Sequence, residues 1–218
     1  MTTLKLYAHP FSSYCGKVLT ALYENDTPFA YRTLNDAESG AELASLWPMK
    51  RFPILIDDGR MIAESTIIIE HLDLFHPGAT RFLPADAKAA LETRFMDRFF
   101  DEYVMTPMQK IVFNHIREEK DRDAFGANEA HEMLERAYSW LNGTLASRTW
   151  AAGETFSLAD CSAALSLFFS DWVHPIDPSL SVLKDFRARL LARPSIARVV
   201  EEARPYRHFF PPGAPDRD

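Results

Sequence analysis

Residues 53–63 read PILIDDGRMIA, and this segment decides how the first third of the chain folds. The run from Pro53 to Asp57, apolar except at its end, predicts a strand. Asp58-Gly59 is a strong signal for a tight hairpin turn, so Met61-Ile62-Ala63 is expected to pair antiparallel with that strand. A helical pattern from Ser65 to Phe75 follows at once. We therefore expect two strands that are joined by a hairpin and followed by a helix.

Upstream of this hairpin, strand and helix signals alternate. The strand patterns cover Leu4 to Ala8 and Phe29 to Thr33, and the helical patterns cover Gly16 to Asn25 and Glu38 to Leu46. The complete order is β-α-β-α-β-β-α, which combines parallel crossovers with one terminal hairpin. This is the order of the thioredoxin-like fold, so an α/β thioredoxin-like domain is expected over residues 1–76.

The remainder of the chain shows helical patterns only. The residues HPGAT at 76–80 and then Leu83-Pro84 break the earlier alternation, which predicts a linker over residues 77–86. An all-α domain is expected over residues 87–208 and a flexible tail over residues 209–218. The predicted helices are Lys88 to Ile116 with a kink at Pro107, Glu129 to Leu145, Ser157 to Phe169, Ser179 to Ala192 and Ser195 to Ala203.

Composition excludes several classes of protein. The 218 residues are 47% hydrophobic and 25% charged, the balance of a soluble globular chain. The formal net charge of −7 argues against a nucleic-acid binder, because such proteins usually present a basic face. Apolar stretches such as Ala163 to Phe169 are much shorter than the roughly 20 residues of a membrane span. A cytoplasmic enzyme or binding protein, with no membrane or nucleic-acid partner, is the expectation that remains.

The cysteines and histidines give no sign of a disulfide framework or a metal site. Cys15 and Cys161 form no CxxC pair. His71 and His76 lack the i,i+4 spacing and the neighbouring carboxylate that a helical zinc site needs. On this spacing argument no metal is expected.

The residues PFSSYCGKV at 10–18 join the first strand to the first helix and form the first candidate site. Ser12 and Ser13 suit the N-cap position, where a serine oxygen accepts a backbone N–H of the helix. The same position offers free N–H groups and positive potential to an anion, and it stabilises a thiolate. A structural and a functional role are both open for each serine.

The residues PMKRFP at 48–53 lead into the third strand and form the second candidate site. A cis bond before Pro53 suits a tight turn ahead of a strand. It would leave the backbone of Phe52 free to pair with an extended peptide. An ordinary trans proline fits the same residues.

Two further segments lie at predicted helix starts. Ser65 either caps the helix that follows it or binds a ligand carboxylate, in which case Glu64 is placed to hold an ammonium group. Ser157 and Asp160 have the spacing of a capping box, with Phe156 ahead of them as a hydrophobic staple. We interpret this last segment as folding information.

Together these four segments resemble the cytosolic glutathione transferase family, and the resemblance covers almost the whole chain. It is greatest to the serine-type (theta- and zeta-like) classes, in which a serine opens the first helix. The resemblance implies glutathione as co-substrate, no metal, a homodimer and a role in detoxification. It implies Ser12 as the catalytic residue, with Arg51, Phe52, Pro53, Glu64 and Ser65 binding glutathione and with Tyr103, Met108 and Phe113 lining the site of an electrophilic small molecule.

Other functions fit parts of the same pattern. A glutathione-fold protein used for binding or assembly, with little catalysis, would keep the fold. A zeta-like glutathione-dependent isomerase would share the serine. Ser12-Ser13-Tyr14-Cys15 also aligns with the Cys-Pro-Tyr-Cys of glutaredoxins, so thiol-transferase chemistry at Cys15 is a third possibility. Ser13 and Tyr7 are the alternatives to Ser12 as donor to the thiolate.

Overall fold

The computed structural model describes residues 4–218, and its first part is a four-stranded mixed sheet with three helices. Strands β1 to β4 cover Leu4–Ala8, Ala30–Thr33, Ile54–Asp57 and Arg60–Ala63, and helices α1 to α3 cover Ser13–Glu24, Ala37–Leu46 and Ser65–Phe75. The strands lie in the order β2-β1-β3-β4, with β1 parallel to β2 and antiparallel to β3. The predicted thioredoxin-like order is confirmed. The first three residues of the predicted domain lie outside the described residues.

The hairpin between β3 and β4 forms as its sequence requires. Asp57 pairs with Arg60, and the two residues between them, Asp58 and Gly59, have φ values of 46° and 83°. Two successive positive φ angles define the turn that matches the twist of paired strands, and Asp-Gly tolerates them well. The turn therefore fixes the register that carries β4 into α3.

The second part of the chain is all-helical. Its long helices, α4 to α9, cover Ala87–Phe99, Thr106–Ile116, Ala124–Thr144, Leu158–Val173, Ser181–Leu191 and Pro194–Ala203. The expected capping box at the start of α7 is present, with the Asp160 side chain accepting the Ser157 amide at 2.9 Å. α6 begins five residues before its predicted start at Glu129, because the Asp123 side chain caps it by accepting the Gly126 N–H at 2.7 Å.

The predicted long helix Lys88 to Ile116 is interrupted ahead of Pro107. Residues Phe100–Met105 form a π-helical turn that joins α4 to α5. The amide of Thr106 donates to the carbonyl of Asp101, five residues back, in place of the usual four. The break is therefore this wider turn, which lies upstream of the proline that we expected to cause a kink.

α1 packs closely against the helical part. A Cβ on Gly16 would lie 2.8 Å from the Leu165 side chain of α7 and 3.1 Å from Val199 of α9. Glycine at this position therefore lets the three helices approach, and their apolar residues form one continuous core across both parts of the chain. This packing holds the start of α1 in place against the helical domain.

The predicted linker and tail both make specific contacts. The Asp73 carboxylate accepts the Phe82 N–H at 2.8 Å, and Phe82 is buried. Phe210 is buried, and the Arg217 guanidinium pairs with Asp171. The domain boundaries and the flexibility of residues 209–218 stay predictions. In the part of the chain that the structure describes, every helix is too short or too polar to cross a bilayer.

Candidate active site

A cavity of about 980 Å³ lies between the two parts of the chain and gathers the predicted site residues. The start of α1, the loop before β3 and the start of α3 line one side, and α5 with the C-terminal segment lines the other. Of the nine residues singled out above, the cavity brings together Ser12, Arg51, Phe52, Pro53, Glu64, Ser65, Met108 and Phe113.

Tyr103 does not join them. It lies in the π-helical turn, is 46% exposed and packs on the ring of Phe99 with the ring centroids 5.1 Å apart. The π-helical turn leaves Tyr103 outside the lining of the cavity, while Met108 and Phe113 further along the chain belong to it. The assignment of Tyr103 to the electrophile site stays a prediction, and the geometry does not favour it.

Ser12 is the N-cap of α1 and lines the cavity. Its backbone is extended, with φ −107° and ψ 126°, and its Oγ accepts the Cys15 N–H at 3.4 Å. This bond uses a lone pair of the oxygen and leaves the hydroxyl proton free. The two roles that the sequence left open are therefore compatible, because one oxygen can cap the helix and still donate its proton into the cavity.

Of the two alternatives to Ser12, the geometry retains one. Ser13 is the first residue of α1, is buried and also lines the cavity. Tyr7 does not line it, and its hydroxyl donates to Glu42 at 3.0 Å on the side of α2. Ser13 therefore remains a possible donor to a thiolate, whereas Tyr7 is committed elsewhere.

Two neighbours in the same segment differ sharply in what they can do. Cys15 is fully buried, and burial raises the pKa of its thiol to about 12, so it is not a nucleophile at neutral pH. Tyr14 lines the cavity, and burial together with the charge of Asp101 raises the pKa of its phenol. Tyr14 thus stays protonated and is a further hydrogen-bond donor that the sequence analysis missed.

The loop before β3 presents free backbone to the cavity. The bond between Phe52 and Pro53 is cis, which settles the alternative that the sequence left open. Within residues 4–218 no hydrogen bond joins the Phe52 amide or carbonyl to the chain, and the side chain is 39% exposed. An extended ligand can therefore pair with this residue as a neighbouring strand would.

Glu64 and Ser65 stand at the start of α3. Glu64 has φ 71°, a left-handed conformation that costs a glutamate about 1–3 kcal/mol and is typical of functional positions. Ser65 is buried and opens the helix, whose first N–H groups point out of its end without helical partners. An anion at this point gains both hydrogen bonds and the favourable end of the helix dipole.

A buried ion network contacts the start of α3 through Thr66. The Lys17 ammonium lies 2.6 Å from Asp97 and 2.9 Å from both Asp101 and the Thr66 hydroxyl. Burial opposes ionisation of Asp97, but the Lys17 charge and the hydrogen bonds from Lys17, Ser162 and Thr66 together hold its pKa below the usual range. Burial and the Asp97 charge raise the pKa of Asp101. The network joins α1, α3, α4 and the π-helical turn next to Ser65.

The sequence analysis missed this network for a physical reason. A lysine within an amphipathic helix is normally solvated, so Lys17 looks like a surface residue until α3 and α4 cover it. No local pattern indicates that carboxylates 80 residues along the chain will meet it.

Charges around the cavity divide into paired and unpaired groups. Arg94 pairs with Glu70 at 2.8 Å and Arg98 with Asp101 at 2.5 Å. Within the described residues the structure gives Lys50, Arg51 and Glu64 no ion-pair partner, although all three line the cavity. The cavity therefore offers two free cations and one free carboxylate to a ligand, and Lys50 is an addition to the predicted set.

The opposite wall is apolar. It is formed by side chains of α5 and by aromatic residues of the N-terminal loop, α7 and the C-terminal segment: Phe11, Met108, Val112, Phe113, Ile116, Phe169, Phe209 and Phe210. A charged tripeptide does not suit this wall, but an apolar small molecule does.

The chain matches the models of both domains of one family. The glutathione S-transferase N-terminal domain matches residues 6–80, and the glutathione S-transferase C-terminal domain matches residues 103–194. The protein belongs to the glutathione S-transferase family.

Particular relatives are distant. The chain is 28% identical over 200 residues to glutathione S-transferase U25 of Arabidopsis thaliana, covering 88% of this chain and 86% of that protein. It is 25% identical over 192 residues to glutathione S-transferase U22 of the same plant, covering 84% and 83%. These relatives do not resolve a class within the family.

Solved structures share the fold over nearly their full length. A glutathione S-transferase of Methylobacillus flagellatus with glutathione bound gives a TM-score of 0.82 at 24% identity, covering 90% of this chain and 98% of that one. A glutathione S-transferase of Methylobacterium radiotolerans in complex with glutathione sulfonate gives 0.78 at 26% identity, covering 91% and 94%.

Proposed function

We propose that this protein is a glutathione transferase of the serine type, which activates the thiol of glutathione for attack on an electrophilic small molecule. The observation that carries the proposal is the single cavity in which a helix-capping serine, free strand-like backbone and unpaired charges lie opposite an apolar wall. Relatives with glutathione or its sulfonate bound support the choice of ligand. Detoxification by conjugation is the role that this reaction serves.

The charges of glutathione match the unpaired groups. At neutral pH the tripeptide carries two carboxylates and one ammonium group. Arg51 would bind the glycine carboxylate, with Lys50 beside it, and the Phe52 backbone would pair with the cysteinyl amide. The Ser65 N–H and hydroxyl would bind the γ-glutamyl carboxylate, and Glu64 its ammonium group. This arrangement leaves the cysteinyl sulfur to be directed towards the start of α1.

Ser12 would stabilise the thiolate without acting as a base. A thiol of pKa ~8.5 is only a few per cent ionised at neutral pH, and a shift of about two units requires ~2.7 kcal/mol. A hydrogen bond to a charged group contributes about 1.5–3 kcal/mol, and a helix N-terminus about 0.3–1 kcal/mol. The thiol proton goes to solvent, and a sulfur lone pair forms the new bond to the electrophilic carbon at the apolar wall. With an aryl halide the carbon–halogen bond breaks in turn, and the halide leaves with the bonding electrons.

The test is the titration of bound glutathione, followed by its thiolate absorbance. We expect Ser12→Ala to raise the pKa of the bound thiol and to lower turnover at neutral pH, with the loss shrinking as pH rises. Glutathione affinity should change little, because the rest of the tripeptide is held elsewhere. Loss of the cap bond should also lower stability by about 1 kcal/mol, which an unfolding curve measures separately.

Ser13→Ala and Tyr14→Phe are the matched controls, since both residues line the same part of the cavity. If the pKa of the bound glutathione thiol is unchanged in Ser12→Ala but raised in one of the two controls, the residue replaced in that control is the donor to the thiolate. Retention on glutathione resin with no turnover of a generic aryl halide or any other electrophile would favour a binding or assembly protein instead.

A further inference from the structure

A second cluster of ligand-type side chains lies where the β3–β4 hairpin meets the end of α3. Asp57 is the last residue of β3, His71 lies in α3, and His76 is the C-cap of that helix. The Nε2 atoms of His71 and His76 lie 2.8 and 2.7 Å from the same oxygen, Oδ2 of Asp57. None of the three residues lines the cavity described above.

We propose that Asp57, His71 and His76 bind a divalent transition metal ion of the zinc type. Their three ligand atoms lie within 4.8 Å of one another. Ligand atoms on a tetrahedral zinc ion are about 3.4 Å apart when each bond is about 2.1 Å. The carboxylate oxygen and the two ring nitrogens, now 2.8 and 2.7 Å apart, therefore need to separate by roughly 0.6–0.7 Å, which small side-chain rotations supply.

The Asp57 carboxylate carries an independent sign of a missing partner. Its second oxygen, Oδ1, is buried and has no hydrogen-bond partner among the described residues. A buried acceptor without a partner costs free energy that a bound cation recovers.

The donor set selects the class of ion. Two imidazole nitrogens and one carboxylate are typical ligands of zinc, whereas magnesium and calcium take oxygen ligands. The three side chains are 11–16% exposed, so solvent reaches the cluster and water can fill the fourth position. A bound ion would fasten the hairpin to the end of α3 and so stabilise the sheet, away from the proposed glutathione chemistry.

The spacing of the ligands along the chain does not indicate this cluster. A helical zinc site has two histidines four residues apart with a carboxylate nearby on the helix. Here the two histidines are five residues apart, and His76 follows the last residue of α3, where its ring can lie beside that of His71. The carboxylate comes from β3, 14 residues upstream of His71. Only the tertiary fold brings the three together.

The experiment uses the full chain without a histidine tag, stripped with a chelator. Zinc is titrated in competition with a chromophoric chelator. We expect one equivalent per chain with a micromolar or tighter dissociation constant, a rise in Tm on zinc addition, and the visible absorption of tetrahedral Co²⁺ when cobalt replaces zinc.

Asp57→Asn and His76→Gln test the ligands. Each should weaken zinc binding by more than the roughly 10–100-fold that loss of an outer hydrogen-bond partner costs. His131→Gln is the control, because His131 and His174 form another contacting pair, with their Nδ1 atoms 2.9 Å apart. This variant should bind zinc as the unaltered chain does.

Any of four results would overturn the proposal: no saturable zinc binding, unchanged affinity in both ligand variants, an equal loss in His131→Gln, or magnesium bound as tightly as zinc. If Asp57→Asn fails to fold, His76→Gln decides alone, since it replaces a residue at a helix end. Glutathione binding by the stripped protein is measured in parallel, so failure of this proposal and failure of the proposed function are distinguishable.

Discussion

In the mechanism that we propose, the Ser12 side chain serves both the fold and the reaction. Its oxygen accepts the Cys15 N–H at 3.4 Å, which is the role of an N-cap, while its proton has no use within the helix. From the sequence alone, capping the helix and donating to a thiolate are alternative roles for Ser12. In the structure the cap uses a lone pair of the oxygen, and a donor would use the hydroxyl proton, so both roles are compatible. A loss of stability in Ser12→Ala would therefore not argue against a catalytic role.

Ser65 leads to a prediction about binding rather than turnover. Ser65→Ala should weaken glutathione binding by about 1–3 kcal/mol, because a buried ligand oxygen loses its hydroxyl partner. Turnover at saturating glutathione should change little, since the contact is far from the sulfur. Calorimetry measures the affinity, and steady-state kinetics measures the turnover.

Ser45→Ala is the control for this prediction. Ser45 is exposed on α2 and bonds only to the Glu42 carbonyl, at 2.7 Å. If both variants bind glutathione like the unaltered chain, Ser65 does not belong to the site.

At the scale of elements, α1 carries three separate functions along one helix. Its start presents Ser12, its Gly16 admits α7 and α9 at close range, and its Lys17 reaches the carboxylates beneath α3. Each function depends on a different partner element. A shift of α1 would therefore disturb the cavity, the contact between the two domains and the ion network together.

The ion network predicts a large and pH-dependent loss of stability in Lys17→Met. Removing the ammonium group leaves Asp97 and Asp101 buried with only the exposed Arg98 as a cationic partner among the described residues. Breaking a buried pair in this way typically costs about 3–5 kcal/mol. In the unaltered chain Lys17 helps to hold the pKa of Asp97 below that of an aspartate in the unfolded chain. The ionised Asp97 therefore stabilises the folded protein at neutral pH, and this stabilisation is lost as the pH falls through the lowered pKa. The variant can protonate its carboxylates instead, so its deficit should narrow at acidic pH.

Denaturant unfolding at neutral and mildly acidic pH measures this deficit. Lys110→Met is the control, because Lys110 forms an exposed pair with Glu129 at 3.4 Å and should change stability by less than about 1 kcal/mol. Equal effects of the two substitutions would mean that the buried network contributes no more than a surface pair.

The elements differ in how far sequence could predict them. The hairpin could be predicted from Asp58-Gly59, because the conformation of a two-residue turn depends mainly on those two residues. The cis bond at Pro53 and the burial of Lys17 depend on what packs around them. The residues alone left the first open and gave no indication of the second. The π-helical turn that contains Tyr103 likewise had no signal in the sequence, and Tyr103 does not line the cavity.

At the scale of the whole molecule, exposed apolar side chains lie on two helices joined by the bidentate Arg94–Glu70 pair. They are Leu74 and Phe75 on α3 and Leu91 and Phe95 on α4. Large contiguous apolar patches on a folded surface usually mark an interface. The homodimer expected from the family resemblance would cover this face.

The corresponding prediction is a mass of about twice 24.9 kDa by light scattering at micromolar concentration. Phe95→Glu should shift the protein to the monomer, because it places a charge in the covered face. Phe125→Glu is the control, since Phe125 is 77% exposed at the start of α6. A monomeric mass for the unaltered chain would refute the dimer.

The π-helical turn at Phe100–Met105 also bears on how this cavity can evolve. Such a turn holds one residue more than an α-helical turn and absorbs it locally, so that α4 and α5 keep the phase of one regular helix. Deleting a single residue within 100–105 would therefore restore the α-helical hydrogen bonds and leave Met108 and Phe113 on the apolar wall. The same deletion within the regular part of α4 would instead rotate everything that follows by about 100° relative to what precedes it. The π-helical turn is thus a position where the chain can lose one residue without exchanging the side chains that face the cavity.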